Sequence, residues 1–167
     1  KHFYQNIQGW SDGIDIVYRE IVKAGPNPPL VFNGTTFTPS LAQQAHFVEV
    51  GSWKGMSSAF MAVEIANSNK NIDFYCVDTW EGGPDHQGWD CLDKLYDIFL
   101  KNMKPVEEYY KPLKITSLEA SKKFKDNALK FVFLDASHEY EDIKNDIKIW
   151  LPKIKPGGVL AGHDYYV

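Results

Sequence analysis

The chain has 167 residues, of which 44% are hydrophobic and 24% charged; this composition fits one folded domain and excludes disordered, collagenous and coiled-coil chains. Charged residues, Gly or Pro interrupt every apolar run before the ~20 residues of a membrane helix, so we expect no membrane partner. The net charge is −4 and Arg19 is the only arginine, which predicts no nucleic-acid partner because such domains usually carry a basic face.

The first part of the chain predicts one helix, one long loop and one strand. Residues 11–24 have apolar side chains at helical spacing, and the inward positions are Ile14, Val17, Tyr18, Ile21 and Val22. Residues 25–39 are rich in Pro, Gly, Asn and Thr and predict a long loop. Residues 46–50 form a short apolar run that predicts the first strand.

Helices and strands alternate through the rest of the chain. Helices are predicted at 56–67, along an apolar stripe from Leu92 to Met103, at 117–124 and at 139–151, the last with Tyr140, Ile143, Ile147, Trp150 and Leu151 inward. Strands are predicted at 72–77, 113–115, 131–134 and 159–162, with a loop at 78–88 and a turn at 155–158. The strands are apolar throughout, which predicts a doubly wound, mostly parallel α/β sheet within one domain over 1–167. Ligands of such sheets bind at the carboxyl ends of the strands.

Two features follow the first two strands. The turn from Gly51 to Gly55 leads into a helix whose free N–H groups, with Ser57, suit a carboxylate or phosphate. It matches neither the Walker loop nor G-x-G-x-x-G, so an ordinary strand-to-helix turn is the alternative. Asp78 follows the second strand, where a carboxylate is placed to accept hydrogen bonds from ribose hydroxyls. The alternative is an aspartate that caps the next turn.

Histidines and carboxylates follow the last two strands. Asp135 and His138 come after one strand, and His163 and Asp164 come after the next. Two histidines beside carboxylates at neighbouring strand ends favour proton transfer. Asp135, His163 and Asp164 also form a candidate metal site of oxygen ligands plus one imidazole, and the alternative is that Asp135 or Ser137 caps the following helix.

These motifs together resemble the class I S-adenosylmethionine-dependent methyltransferases, in particular the small-molecule O-methyltransferase-like group. The resemblance rests on VEVGSWKGMSS, VDTWEG and LDASHEYEDIKNDIKIWLPKIKPGGVLAGHDY and covers about residues 10–24 and 45–166. It implies a Rossmann-like fold and an S-adenosylmethionine site. The implied cofactor-binding residues are Glu49, Gly51, Ser52, Ser57, Asp78, Ser117, Leu118 and Asp135.

The resemblance also implies a catalytic set. In the similar catechol O-methyltransferases a lysine base follows the metal-binding aspartate by three residues, and His138 stands at that place here. His163 and Asp164 replace the acidic pair of those enzymes, so Asp135, His163 and Asp164 are the implied ligands of a divalent metal such as Mg, Mn or Ca. The family sheet has seven strands, and this sequence supplies five. We therefore expect the last two strands in a C-terminal segment outside this sequence.

We expect methyl transfer to a hydroxyl of a small molecule, with His138 as the base and His163 or Asp164 orienting the acceptor or a metal. A nicotinamide-dependent oxidoreductase and a non-catalytic cofactor-binding module remain as alternatives, and homo-oligomerisation is left open. Cys76 and Cys91 match no zinc or redox spacing, and no signal peptide is visible, which favours a cytoplasmic location.

Overall fold

A computed structural model describes the backbone of residues 3, 7, 13–25, 30–32, 35–37, 44–83, 86 and 88–163. The helices are α1 (Ile14–Ala24), α2 (Met56–Ser68), α3 (Leu95–Met103), α4 (Ser117–Ser121) and α5 (Tyr140–Trp150). The strands are β1 (Leu30–Phe32), β2 (Thr35–Phe37), β3 (Ala45–Val50), β4 (Ile72–Asp78), β5 (Lys111–Lys114), β6 (Leu129–Leu134) and β7 (Ile154–Gly162). Short 3₁₀ turns cover Leu92–Lys94, Lys104–Tyr109 and Leu151–Lys153.

The main sheet has the order β5-β4-β3-β6-β7, and all four strand pairs are parallel. From β3 the chain builds outward through β4 and β5, then returns to the other side of β3 for β6 and β7. The direction in which successive strands are added to the sheet reverses between β3 and β6. In parallel sheets, such a reversal of strand order creates a crevice at the carboxyl ends of the strands. The predicted doubly wound parallel sheet is confirmed.

The two faces of the sheet are buried under separate apolar cores. Alternate residues of a strand point to opposite faces, so Phe47 belongs to the core that also contains Phe60 of α2 and Phe99 of α3. Its neighbour Val48 belongs to the core that contains Trp150 of α5. Burial of each such large side chain stabilises the fold by about 1.5–3 kcal/mol.

Helix α5 corrects one prediction. Of the five side chains predicted to face inward, Trp150 alone is buried, and the other four are exposed: Tyr140, Ile143, Ile147 and Leu151. The face that packs on the sheet runs through Ile149 and Trp150, with Asp146 half-buried beside them. In α1 the prediction was wrong only at Val17, which is 37% exposed, while Tyr18 is fully buried. Residues 11 and 12, where that helix was predicted to start, lie outside the described residues.

The predicted loop and turn also differ from the structure. The loop at 25–39 contains a two-stranded antiparallel pair, in which Leu30 is opposite Phe37 and Phe32 is opposite Thr35. The predicted turn at 155–158 lies inside β7. Pairing with β6 passes from Leu129–Ile154 directly to Phe131–Val159, so four residues of β7 face a single residue of β6. They bulge out of the ladder, which explains why they resemble a turn in sequence.

Within the ranges given above, the helices are too short or too polar to cross a membrane.

Candidate functional site

Backbone hydrogen bonds hold the ends of the five parallel strands in one continuous row. Ile115 N donates to Asp78 O at 3.1 Å, and Gly51 N donates to Val77 O at 2.8 Å. On the other side of β3, Asp135 N donates to Val50 O at 2.8 Å and His163 N donates to Leu134 O at 3.1 Å. The residues that follow β3, β4, β6 and β7 therefore lie side by side along the crevice, as predicted.

The glycine turn passes directly against the backbone that follows β6. Gly51 has φ +94°, and a Cβ built on it would lie 2.0 Å from the carbonyl oxygen of Asp135. Only glycine allows this approach. At the far end of the turn Gly55 has φ +87° and precedes α2, which has no side-chain cap at its N-terminus. Among the described residues, no side chain caps the first N–H groups of α2, and such groups at a helix N-terminus suit an anionic ligand.

Polar side chains at the end of β3, in the turn and at the start of α2 are buried. Glu49 is fully buried, Ser52 is 2% exposed and Ser57 is 8% exposed. Tyr18 of α1 donates to Glu49 Oε1 at 2.9 Å, and Ser52 donates to Glu49 Oε2 at 3.2 Å. Ser58 of α2 also donates to Oε2. Burial raises the pKa of Glu49, and the hydroxyl hydrogen bonds oppose that rise.

Asp78 stabilises the turns on both sides of it. Its Oδ2 accepts from Trp53 N at 2.8 Å, and its Oδ1 accepts from Trp80 N at 2.7 Å. Both tryptophans have positive φ, at 45° for Trp53 and 53° for Trp80, a conformation that bulky residues rarely adopt. Burial raises the pKa of Asp78, and the backbone N–H bonds counteract it. The capping role that we considered as an alternative is present.

An aromatic cluster covers one side of the turn. The Trp53 ring stacks on His86 at 4.2 Å between centroids, and Trp89 meets both rings edge-on. Lys54 Nζ lies over the rings of Trp53 and Trp89 at 5.6 and 5.9 Å. Trp80 Nε1 donates to Trp53 O at 2.8 Å and so attaches Trp80 to the turn.

The ends of β6 and β7 line a cavity of about 190 Å³. His138 and His163 both line this cavity, and His163 Nδ1 lies 3.7 Å from Asp135 Oδ1. His138 is exposed at the beginning of the segment that leads into α5. Apolar side chains of α5 and β7 form the remaining wall, together with the half-buried Asp146. The structure thus brings Asp135, His138 and His163 together.

The structure describes only part of the predicted metal site. In the part of the chain that the structure describes, no group of three or more His, Cys, Asp or Glu side chains is arranged to hold a metal ion. Asp135 and His163 are neighbours, but Asp164, the third predicted ligand, lies outside the described residues. The described side chains therefore do not by themselves form a metal site.

The segment after β5 borders Asp78 through the Ile115 backbone bond. Leu118 is 51% exposed at the start of α4. The hydroxyl of Ser117 donates to Asp146 Oδ1 at 2.5 Å and accepts from Trp150 Nε1 at 2.9 Å, so it joins α4 to α5. Sequence analysis missed this link, and it missed the bond from Tyr18 to Glu49, because both join residues far apart in the sequence.

Comparison with protein families gives a match over most of the chain. Residues 48–165 match the model of a family described as "Methyltransferase domain". A protein of Sinorhizobium fredii, described as uncharacterised protein y4gI, is 28% identical over 117 residues, which are 70% of this chain and 13% of that protein. The family match confirms the resemblance drawn from the sequence motifs.

Solved structures share the fold at low sequence identity. The O-methyltransferase NovP aligns with a TM-score of 0.63 and 16% identity, over 90% of this chain and 64% of its own. A protein of Corynebacterium glutamicum aligns with a TM-score of 0.52 and 14% identity, over 89% of this chain and 57% of its own. This chain therefore spans less than two thirds of the length of these relatives.

Proposed function

The chain belongs to the methyltransferase domain family, and we propose that it binds S-adenosylmethionine and transfers the methyl group to a hydroxyl of a small molecule. The row of strand ends supports this proposal, because it places the glycine turn, Asp78, Asp135 and His163 on one crevice. NovP, which shares the fold over 90% of this chain, is an O-methyltransferase.

We place the cofactor along β3 and β4. The N-terminus of α2 and the backbone of the turn receive its carboxylate, and Asp78 receives its ribose hydroxyls while it holds the turn. Leu118 and the backbone of Ser117 border its adenine, and Asp135 lies near its amino group. When bound, the cofactor supplies an activated methyl group on its sulfonium.

The acceptor occupies the cavity at the ends of β6 and β7. Its hydroxyl must lose a proton as the methyl group arrives, and histidine is the side chain suited to take it near neutral pH. We assign that role to His138, which lines this cavity and is open to solvent. His163, beside Asp135, orients the acceptor. Apolar side chains of α5 contact its body.

The roles proposed for His138 and His163 use no metal ion. Asp135 and His163 provide two donors of the kind that Mg²⁺ or Mn²⁺ binds in proteins. Dialysis against a chelator, followed by stepwise return of Mg²⁺, Mn²⁺ or Ca²⁺ during the transfer assay, tests whether either donor serves a metal.

Two measurements test the proposal. Calorimetry with S-adenosylhomocysteine and with NADH separates the methyltransferase from the nicotinamide enzyme, and we expect binding of the first only. Transfer of labelled methyl groups to a panel of hydroxylated metabolites then identifies an acceptor. His138→Ala is expected to lose most turnover and keep cofactor affinity. His46→Ala is the control, because His46 lies near the amino end of β3, away from the crevice. Full turnover by His138→Ala rejects the base assignment.

A non-catalytic binding module predicts a different result. Such a chain binds S-adenosylhomocysteine as tightly as an enzyme does but transfers no label to any compound of the panel. This chain spans between 13% and 64% of the lengths of these relatives. The assay should therefore use the full natural protein that contains this chain.

A further inference from the structure

The carboxylate beneath the glycine turn has no exposed surface through which to contact a ligand. Glu49 is 0% exposed, and it accepts hydrogen bonds from the chain's own hydroxyl groups. Their donors are Tyr18, Ser52 and Ser58, and the Ser57 side chain is also in hydrogen-bonding contact with Glu49. A buried carboxylate with this many donors is saturated, so it acts on the crevice only through the groups that it holds.

These donors come from three separate elements. Tyr18 belongs to α1, Ser52 to the glycine turn and Ser58 to the first turn of α2. The last two elements present the backbone N–H groups to which we assign the cofactor carboxylate. Burial of a carboxylate without hydrogen-bond donors costs free energy. Loss of any one donor therefore destabilises the position of Glu49 and of the donors that remain bonded to it. The network therefore fixes the distance between the turn and α2.

Among the donors named above, Tyr18 is the one that belongs to neither the glycine turn nor α2. Its ring is fully buried and meets Phe131 and Phe133 of β6 edge-on, at 5.6 and 5.4 Å between centroids. These contacts fix the position of the ring, and the hydroxyl then reaches Glu49 at 2.9 Å. Helix α1 is joined in this way to Glu49, which lies 31 residues later in the sequence, near the end of β3.

We propose that Tyr18 and Glu49 are positioning residues that set the affinity for the cofactor without touching it. They keep Ser52 and the N-terminus of α2 in the geometry that the ligand requires, and α1 is thereby part of the cofactor site. This proposal rests on the proposed function, because it concerns the same crevice.

The test compares two buried tyrosines. Tyr18→Phe removes the hydroxyl that bonds Glu49 and keeps the ring. Tyr110→Phe is the control, because Tyr110 is also buried, packs edge-on against Phe99 and precedes β5 at the opposite edge of the sheet. Calorimetry with S-adenosylhomocysteine, well below the melting temperature of each variant, is expected to give about tenfold weaker binding for Tyr18→Phe and an unchanged Kd for Tyr110→Phe.

A double-mutant cycle separates positioning from general destabilisation. Glu49→Gln keeps the shape of the side chain and removes its charge. If Tyr18 acts through Glu49, the Kd of the double variant is close to the Kd of whichever single variant binds more weakly. If the two residues act independently, the increases in Kd of the two single variants multiply in the double variant. Two results overturn this proposal alone: increases in Kd that multiply in the double variant, or a Kd of Tyr18→Phe within about twofold of that of the unmodified chain. Absence of binding by the unmodified chain removes the proposed function and this proposal with it.

Discussion

Replacement of Gly51 by alanine tests the central feature of the crevice, the close approach of the turn to the segment after β6. The new Cβ would lie 2.0 Å from Asp135 O, 2.4 Å from Asp135 C and 2.7 Å from the Cα of Ala136. All three are backbone atoms, so no side chain can rotate away to relieve the overlap. The backbones must separate, and with them the two halves of the crevice.

The expected loss of stability has two parts. A residue with a Cβ at φ +94° is strained by about 1–2 kcal/mol, and overpacking against the backbone adds about 1–3 kcal/mol. The sum is roughly 2–5 kcal/mol, out of about 5–15 kcal/mol for a typical domain. The variant is therefore expected to fold at low temperature, with a large drop in its free energy of unfolding and without measurable binding of S-adenosylhomocysteine.

Gly157→Ala is the matched control. Gly157 also has a positive φ, at +73°, but a Cβ there would meet nothing within 4 Å. This variant keeps only the backbone strain, about 1–2 kcal/mol, and we expect it to bind the ligand normally. Urea unfolding at 25 °C, followed by tryptophan fluorescence, measures both variants. Losses that agree within about 0.5 kcal/mol would refute the close approach at Gly51.

Three further predictions concern the surrounding fold. Trp150→Ala, at a fully buried position, should lower the free energy of unfolding by about 3–5 kcal/mol, whereas Ile147→Ala, on the same helix but 42% exposed, should lose less than about 1.5 kcal/mol in urea titrations. Thr116→Ala removes the capping box of α4 and should cost about 0.5–2 kcal/mol, unlike Lys122→Ala at the other end. Burial raises the pKa of Glu49 above its usual 4.5, so the folded state holds this proton more tightly than the unfolded chain does, and stability relative to Glu49→Gln should fall as pH rises from 4.5; a relative gain over that range would contradict the pKa shift.

Continuous apolar runs made the sheet predictable. The strands at Ala45–Val50 and Leu129–Leu134 are buried on both faces, and such strands are mainly apolar, although Glu49 and Lys130 are buried charged residues within them. Their ends were found within two residues. The last strand was harder to predict, because Pro156 and the adjacent glycines have the composition of a turn although they form a bulge between paired segments. The composition of these residues indicates a local bend in the chain. Whether the bend interrupts the strand depends on how the flanking residues pair with β6, which composition does not indicate.

The exposed face of α5 shows a second limit. Helical spacing puts Tyr140, Ile143 and Ile147 on one apolar side, and that part of the prediction needs only the sequence. Whether a side is covered depends on what packs against it, and here the sheet contacts the adjacent face through Ile149 and Trp150. Periodicity identifies an apolar stripe and leaves open which edge of it is buried.

The positions of the site residues were predictable, but their hydrogen bonds were not. The topology of a parallel sheet brings strand ends together, and this was enough to place Asp78 and Asp135 on one crevice. The bonds of Asp78 run to the backbone of Trp53 and Trp80, and a backbone donor has no signature in the sequence. The capping and the ligand-binding interpretations of Asp78 are therefore not competitors. By fixing two tryptophans in strained conformations, its carboxylate shapes the wall of the crevice.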